Sequence, residues 1–276
     1  MKRKNDRDGG SPSRPREVLR AVAVDWSGAR DGERRAIWLA EAVAGRLVRL
    51  ECGRSREELV VHLLDEAARD PGLVVGLDFA FSLPEWFLRA RGVDDVAGAW
   101  ELVAREGEAW LADPQPPFWR ERKPPGNGFR RTELECGGRP KSVFQLVGAG
   151  QVGTGSLRGM PFLRRLRERF AIWPFDEPQL PLLVEIYPRL HLGLERVDRS
   201  FQTDARAEPA RPDGRHRERC LGAVGDGGYP NEHARDAAAS ALAMSRRPGD
   251  WHRLPREPGY ALEGRIWHEG LVLGGG

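Results

Sequence analysis

The hydrophobic and polar positions divide the chain into short apolar runs, polar turns and stretches of helical period. Ala21-Val22-Ala23-Val24 runs straight into Asp25, and Trp26-Ser27-Gly28 follows. An unbroken row of small and β-branched residues predicts a buried first strand. Its last residue carries a carboxylate to the sheet edge, with a tight turn behind it. After the polar turn Arg30-Asp31-Gly32-Glu33, the runs Ala36-Ile37-Trp38-Leu39-Ala40 and Arg46-Leu47-Val48-Arg49-Leu50 flank Ala44-Gly45. This predicts an antiparallel meander of three strands. Ser55-Arg56-Glu57-Glu58 reads as a capping box, and Leu59, Leu63, Leu64 and Ala67 share one face of the helix behind it. Asp70-Pro71-Gly72 stops that helix. Leu73-Val74-Val75-Gly76-Leu77 is apolar throughout, so it belongs at the centre of the sheet with both faces covered. It too ends in an aspartate, Asp78.

Residues 83–112 predict a short helix around Glu85-Trp86-Phe87-Leu88 and a longer one from Asp94 carrying Trp100, Val103 and Trp110. Periodicity then fades. Residues 113–141 are rich in Pro and Arg and read as a long loop or insertion, a class of segment that tends to be functional. A short apolar run, Ser142 to Val147, leads through a glycine-rich stretch, Gly148 to Gly159, into a helix with Phe162, Leu163, Leu166 and Phe170 inward. Leu180 to Tyr187 predicts another buried strand, carrying Glu185 and ended by Pro188. Residues 195–230 are polar and predict irregular structure. Asn231 caps a last helix whose Ala237, Ala238, Ser240, Ala241 and Ala243 are small enough for close packing on a sheet. Around Ala261 to Trp267 the pattern is hairpin-like.

Composition narrows this picture. A chain of 276 residues with 40% hydrophobic content can bury a sizeable core. Mean hydropathy is −0.54, and no apolar run reaches the ~20 residues of a membrane span, so no membrane partner is expected. Residues 1–18 are basic and rich in Gly, Ser and Pro, which predicts a disordered tail before a single domain over 19–276. No apolar stretch follows the basic start, so the expected location is the cytoplasm. Cys52, Cys136 and Cys220 fit neither a disulfide framework nor a zinc knuckle and are expected as reduced thiols. A net charge of +3 is too mild to establish a polyanion partner by itself.

The candidate chemistry lies in the acids. Asp25 and Asp78 end buried strands, Glu185 lies in a later one, and Asp236 sits in the first turn of the small-sided helix. Carboxylates in such places are costly to desolvate without partners. Together they suit Mg²⁺ (or Mn²⁺), which prefers oxygen ligands. Each acid also has a plainer use: Asp25 and Asp78 as caps, Asp236 as a helix N-terminal charge or a partner of Arg235, Glu185 in a salt bridge with Arg189. His233 shares a helix face with Asp236 and is either a proton shuttle or a surface group.

Four pieces carry a resemblance in their order and spacing: Val24-Asp25-Trp26-Ser27-Gly28; Gly76-Leu77-Asp78-Phe79-Ala80-Phe81-Ser82; Val184-Glu185-Ile186-Tyr187-Pro188; and His233-Ala234-Arg235-Asp236 with the alanine-rich helix behind it. This arrangement resembles the ribonuclease H-like superfamily, and its finer signature looks like the DUF429 branch, a group of predicted RNase H-like nucleases. The resemblance implies an α/β fold, a mixed five-stranded sheet flanked by helices. It also implies a Mg²⁺-dependent phosphodiester hydrolase with Asp25, Asp78 and Asp236 on the metal, Glu185 as a fourth catalytic acid, and nucleic acid as partner.

Two further patterns bear on substrate. Gly148-Ala149-Gly150-Gln151-Val152-Gly153 matches a dinucleotide fingerprint. However, Thr154-Gly155-Ser156 and Gly159-Met160-Pro161 argue against a helix starting inside it, and no ribose-binding acid stands ~20 residues on. An anion-binding loop at the N-terminus of a helix near Ser156 is the better use. Ser27, Gln145, Gln151, Thr154 and Ser156 are then candidates to touch a phosphate or base. Phe118-Trp119-Arg120-Glu121-Arg122-Lys123 and Phe129-Arg130-Arg131 interleave aromatics with cations, which suits either base stacking with Arg120, Arg122 and Lys123 on phosphates, or a loop whose aromatics tuck into the fold. Two other functions remain open: an inactive nucleic-acid-binding module on the same scaffold, and an ATP-handling enzyme of the actin or sugar-kinase type, which would need phosphate loops after both Asp25 and Asp78.

Overall fold

The computed structural model describes residues 19–121, 123, 128–148, 151–192, 229–247, 249 and 251–272. The tail 1–18, the segment 193–228, Arg122 and Cys220 lie outside the described residues. The meander forms as the pattern predicts. Strands β1 (Arg20–Asp25), β2 (Trp38–Val43) and β3 (Arg46–Cys52) pair antiparallel, with a one-turn helix α1 (Glu33–Ala36) between the first two. Ala44 and Gly45 turn the β2–β3 hairpin at φ 48° and 78°. The capping box at Ser55 and Glu58 opens helix α2 (Arg56–Arg69), which Asp70 ends. Strand β4 (Val74–Leu77) then pairs parallel to β1, at the centre of the sheet.

Helices α3 (Glu85–Arg89) and α4 (Val96–Ala112) follow, the latter capped by Asp95. Within 113–141 a short helix α5 (Arg131–Glu135) forms. Helix α6 (Val152–Leu166) leads to a two-residue strand β5 (Ala171–Ile172), then β6 (Leu182–Glu185) and the last helix α7 (Glu232–Ser245), capped by Asn231 as expected. The architecture is α/β, a mixed sheet flanked by helices, in the order β3-β2-β1-β4-β6-β5. Among the described residues the sheet therefore has six strands rather than the expected five. The extra one, Ala171–Ile172, is too short to leave a periodicity in the sequence. The Ala261–Trp267 run is not a hairpin. It contributes one bridge, Ile266 to Glu185.

The period of two along the strands sorts side chains between two layers. Val22, Val24, Val75, Leu77 and Leu183 face a layer formed with α2, α4 and α6. Ala21, Ala23, Ala40, Ala42, Val74 and Val184 face α7. Small residues on both sides let α7 approach closely. A Cβ on Gly76 would lie 2.7 Å from the Ile186 side chain and 2.8 Å from the Met244 sulfur. This brings the first turn of α7, and Asp236 with it, to the end of the sheet where β1 and β4 terminate.

Cys136 is a free thiol, but Cys52, at the end of β3, is disulfide-bonded, which corrects the expectation of three reduced cysteines. No helix among the described residues is long and apolar enough to cross a membrane.

Candidate active site

Val24 is paired with Leu77, and the Asp78 amide donates to the Val24 carbonyl at 3.0 Å. The ladder thus ends with Asp25 and Asp78 side by side on neighbouring parallel strands. By strand alternation both carboxylates leave the sheet on the α7 face. His233 of α7 meets Asp25, Nδ1 to Oδ1 at 2.9 Å. Asp236, one helical turn further, shares that face.

The acids are electrostatically strained. Burial, followed by the charges of Asp25, Asp236 and Glu185, pushes the Asp78 carboxyl well above the usual carboxylate range. Burial also raises Asp25, against the opposing effect of its bond to His233. Burial raises Asp236 too, and the poorly aligned Arg235 guanidinium at 3.4 Å offsets it only in part. The Asp25 bond raises His233, whose side chain is 55% exposed. Asp25 is therefore no turn cap. The turn behind it is closed by Ser27, whose Oγ accepts from the Ala29 amide at 3.1 Å. Nor does Asp78 cap α3, which begins at Pro84 without a side-chain cap of its own. Among the described residues no group of three His, Cys, Asp or Glu is arranged to hold a metal ion as it stands.

Glu185 behaves differently. It pairs with Leu77 in the β4–β6 register, one step before Asp78, so its side chain leaves by the other face. There it meets Arg130, Nη2 to Oε1 at 2.5 Å and Nη1 to Oε2 at 2.8 Å, and accepts the Phe81 amide at 2.9 Å. Arg130 also donates to Glu133 at 3.0 Å and to the Glu263 carbonyl at 3.1 Å. Three of the about four lone-pair directions of the carboxylate are thus in use, and its charge already faces a buried guanidinium. Glu185 is a salt-bridged acid, with Arg130 rather than Arg189 as its partner. Sequence reasoning missed Arg130 because its partner lies 55 positions away.

The expected substrate contacts scatter. Ser156 is fully buried; its Oγ accepts the Ala80 amide at 2.9 Å and donates to the Val152 carbonyl at 2.8 Å, so it is a core tie and not a phosphate contact. Thr154 Oγ1 donates to the Leu146 carbonyl at 3.0 Å, and Gln145 Nε2 to the Val147 carbonyl at 3.0 Å. Gln151 is exposed and precedes α6 without capping it. Helix α6 does start inside the glycine motif, contrary to expectation, and runs through Pro161. Its glycines serve packing. A Cβ on Gly153 would lie 2.3 Å from the Val143 carbonyl oxygen and one on Gly159 2.8 Å from the Phe79 ring, while on the facing turn a Cβ on Gly28 would collide with the backbone of Thr154 and Gly155. The turn after Asp25 fills the place where an anion would meet the α6 N-terminus.

Arg120 donates to the Leu111 carbonyl, and Lys123 lies over the Phe129 ring at 4.6 Å. Phe118 is buried among Phe87, Trp110 and Phe144. The aromatic–cation segment is therefore mostly tucked in. Trp26, opposite in parity to Asp25, is core as well. Its ring packs on Phe79 and Phe162 at centroid distances of 4.9 and 6.0 Å. Comparison with family models, curated proteins and solved structures finds no match to the chain.

Proposed function

We propose that the chain is a metal-dependent phosphodiester hydrolase, a nuclease, on a ribonuclease H-like scaffold of the DUF429 type, with 113–141 as an insertion. The observation that carries this reading is the convergence of Asp25, Asp78 and Asp236, three oxygen-only side chains whose like charges raise Asp78, with His233 on Asp25 and a long Arg235 contact at 3.4 Å on Asp236 as their partners among the described residues. The strand order β3-β2-β1-β4-β6, with three antiparallel strands followed by two parallel ones, supports the scaffold. The donor set fits Mg²⁺ or Mn²⁺, with Asp25 and Asp78 as primary holders and Asp236 as the third. When bound, the metal lowers the pKa of water and offsets charge developing on the scissile phosphate.

The chain's own residues perform the remaining work in this reading. Asp25 orients His233 through Nδ1, which leaves Nε2 to give or take a proton at the phosphate. The Phe81 amide bound to Glu185 fixes the loop that follows Asp78. Asp25→Asn keeps the size of the side chain and should abolish Mg²⁺-dependent cleavage of single- or double-stranded nucleic acid, with an unchanged circular dichroism spectrum. Full activity in that variant would refute the proposal.

The absence of a preassembled three-ligand group among the described residues favours a second reading, an inactive nucleic-acid-binding module. Calorimetric Mg²⁺ titration separates the two, because an inactive scaffold gives no heat that Asp25→Asn removes. An ATP-handling enzyme is disfavoured, because the amides after Asp78 that would cradle a phosphate are engaged, Ala80 with Ser156 and Phe81 with Glu185.

A further inference from the structure

Most guanidinium groups among the described residues are held by carboxylates, such as Arg20 by Glu41, Arg56 by Glu33, Arg130 by Glu185, Arg158 by Glu108, Arg167 by Asp176 and Arg265 by Glu257. Two exposed arginines beside the carboxylate site form no ion pair among the described residues. Arg189 lies in the single turn Pro188–Leu190 that follows β6, two positions beyond Tyr187, and is exposed. The Ile186 amide donates to the Leu77 carbonyl at 3.1 Å, so the chain that continues into Tyr187 leaves the sheet beside Asp78, and the Asp78 charge adds to the larger effect of burial in raising the Tyr187 hydroxyl. Arg139 is carried by a turn on the other side of the same ring. The Tyr187 hydroxyl donates to the Gly138 carbonyl at 3.4 Å, and a Cβ on Gly138 would lie 3.2 Å from the Tyr187 ring.

That turn is conformationally costly. Gly137, Gly138 and Arg139 take φ of 77°, 66° and 54°, so a non-glycine residue, exposed at the tip of the turn, is held in the left-handed region. Such outliers tend to collect at binding and switch segments. Here the turn places Arg139 on the rim that Arg189 shares. Resting on the nuclease reading above, we propose that Arg139 and Arg189 are the phosphate-gripping cations of this protein. They would bind the nucleic-acid backbone flanking the phosphate at Asp78, with Tyr187 as the wall between them. The role then belongs to the 137–139 and 187–189 segments and not to Arg120 and Lys123, whose charged ends are engaged by a carbonyl and a ring.

The test is binding of a fluorescein-labelled single-stranded oligonucleotide by anisotropy, in EDTA so that no cleavage intervenes, over a range of salt concentrations. Arg139→Gly keeps the turn conformation while removing the cation, and Arg189→Ala removes the other. The double variant should weaken binding about tenfold or more and reduce the salt slope by about 1.4, about 0.7 for each phosphate of a single strand that no longer meets a cation. Arg105→Ala, which removes a guanidinium paired with Glu106, should change neither. Equal affinity and slope in wild type and double variant would overturn the assignment while leaving the nuclease reading standing. A wild-type protein that binds no oligonucleotide, with or without Mg²⁺, would overturn both.

Discussion

Two acidic regions meet at the same end of the sheet and are built on opposite principles. Asp25, Asp78 and Asp236 gather on the α7 face and strain one another's charge. Glu185 leaves by the other face and is closed off by Arg130, Glu133 and the Phe81 amide. The difference comes from one residue of register. Leu77 pairs with Glu185, so Asp78 aligns with Ile186, and alternation sends the two acids apart. An acid in a buried strand is therefore not evidence for a ligand until its parity is known. The open region is the one the proposed function assigns to a cation, while the closed one is an internal brace that fixes the loop after Asp78.

The sharpest way to break the comparison is to open the closed side. Arg130→Ala leaves Glu185 and Glu133 buried without their counter-charge, which typically costs about 3–5 kcal/mol. Urea unfolding should show the midpoint falling with little change in slope. A loss below about 1 kcal/mol would mean that the network is solvated and that Glu185 remains available to a ligand. Glu185→Gln should be milder, since its amide still accepts from Phe81.

A second prediction concerns acid sensitivity away from both regions. His191 is buried against Trp267 at a ring distance of 5.3 Å, and neither ring nitrogen has a hydrogen-bond partner among the described residues. Burial, with a smaller contribution from the His268 charge, lowers its pKa from 6.5 to about 4. The unfolded chain takes the proton first as pH falls. The stability that depends on neutral His191 is fully present above about pH 6.5 and is lost between there and pH 4. The expected loss is about 2 kcal/mol between pH 7.5 and pH 5. His191→Leu should flatten this slope, measured as unfolding midpoints across that range. An unchanged slope would show that other groups carry the acid response.

Much of the fold was legible because local chemistry agreed with tertiary structure. The Ser55–Glu58 capping box, the Asn231 cap, the meander turn at Ala44-Gly45 and the apolar central strand each formed where pattern placed them. The convergence of the acids was also foreseeable, since Asp25 and Asp78 end strands and Asp236 begins a small-sided helix. What was illegible depended on distance in the chain. Arg130 looked like one cation in a solvated loop until Glu185 met it. Ser156 looked like an exposed phosphate contact until Ala80 met it. The glycines of α6 looked like helix breakers, yet the Val143 carbonyl and the Phe79 ring need the missing side chains of Gly153 and Gly159. His233 stood in the sequence as a surface group as much as a proton carrier. Only the fold sets it on Asp25.

The smallest expected effect tests the open side directly. If Asp78 is strained by Asp25 and Asp236, then Asp78→Asn removes a like charge without removing volume. In EDTA the variant should be modestly more stable than wild type, because burial and the neighbouring carboxylates both disfavour the charged form of Asp78. This is the reverse of what replacing Glu185 should do. Adding Mg²⁺ should then raise the melting temperature of wild type, because binding to the folded state alone stabilises it, and should leave the variant unchanged. The sign matters more than the size. If Asp78→Asn destabilises the protein in EDTA, the carboxylate has a favourable partner in the fold, and the two acidic regions are built alike. If the variant is more stable yet Mg²⁺ raises both melting temperatures equally, the cation binds elsewhere, and the cluster is strained without being a metal site.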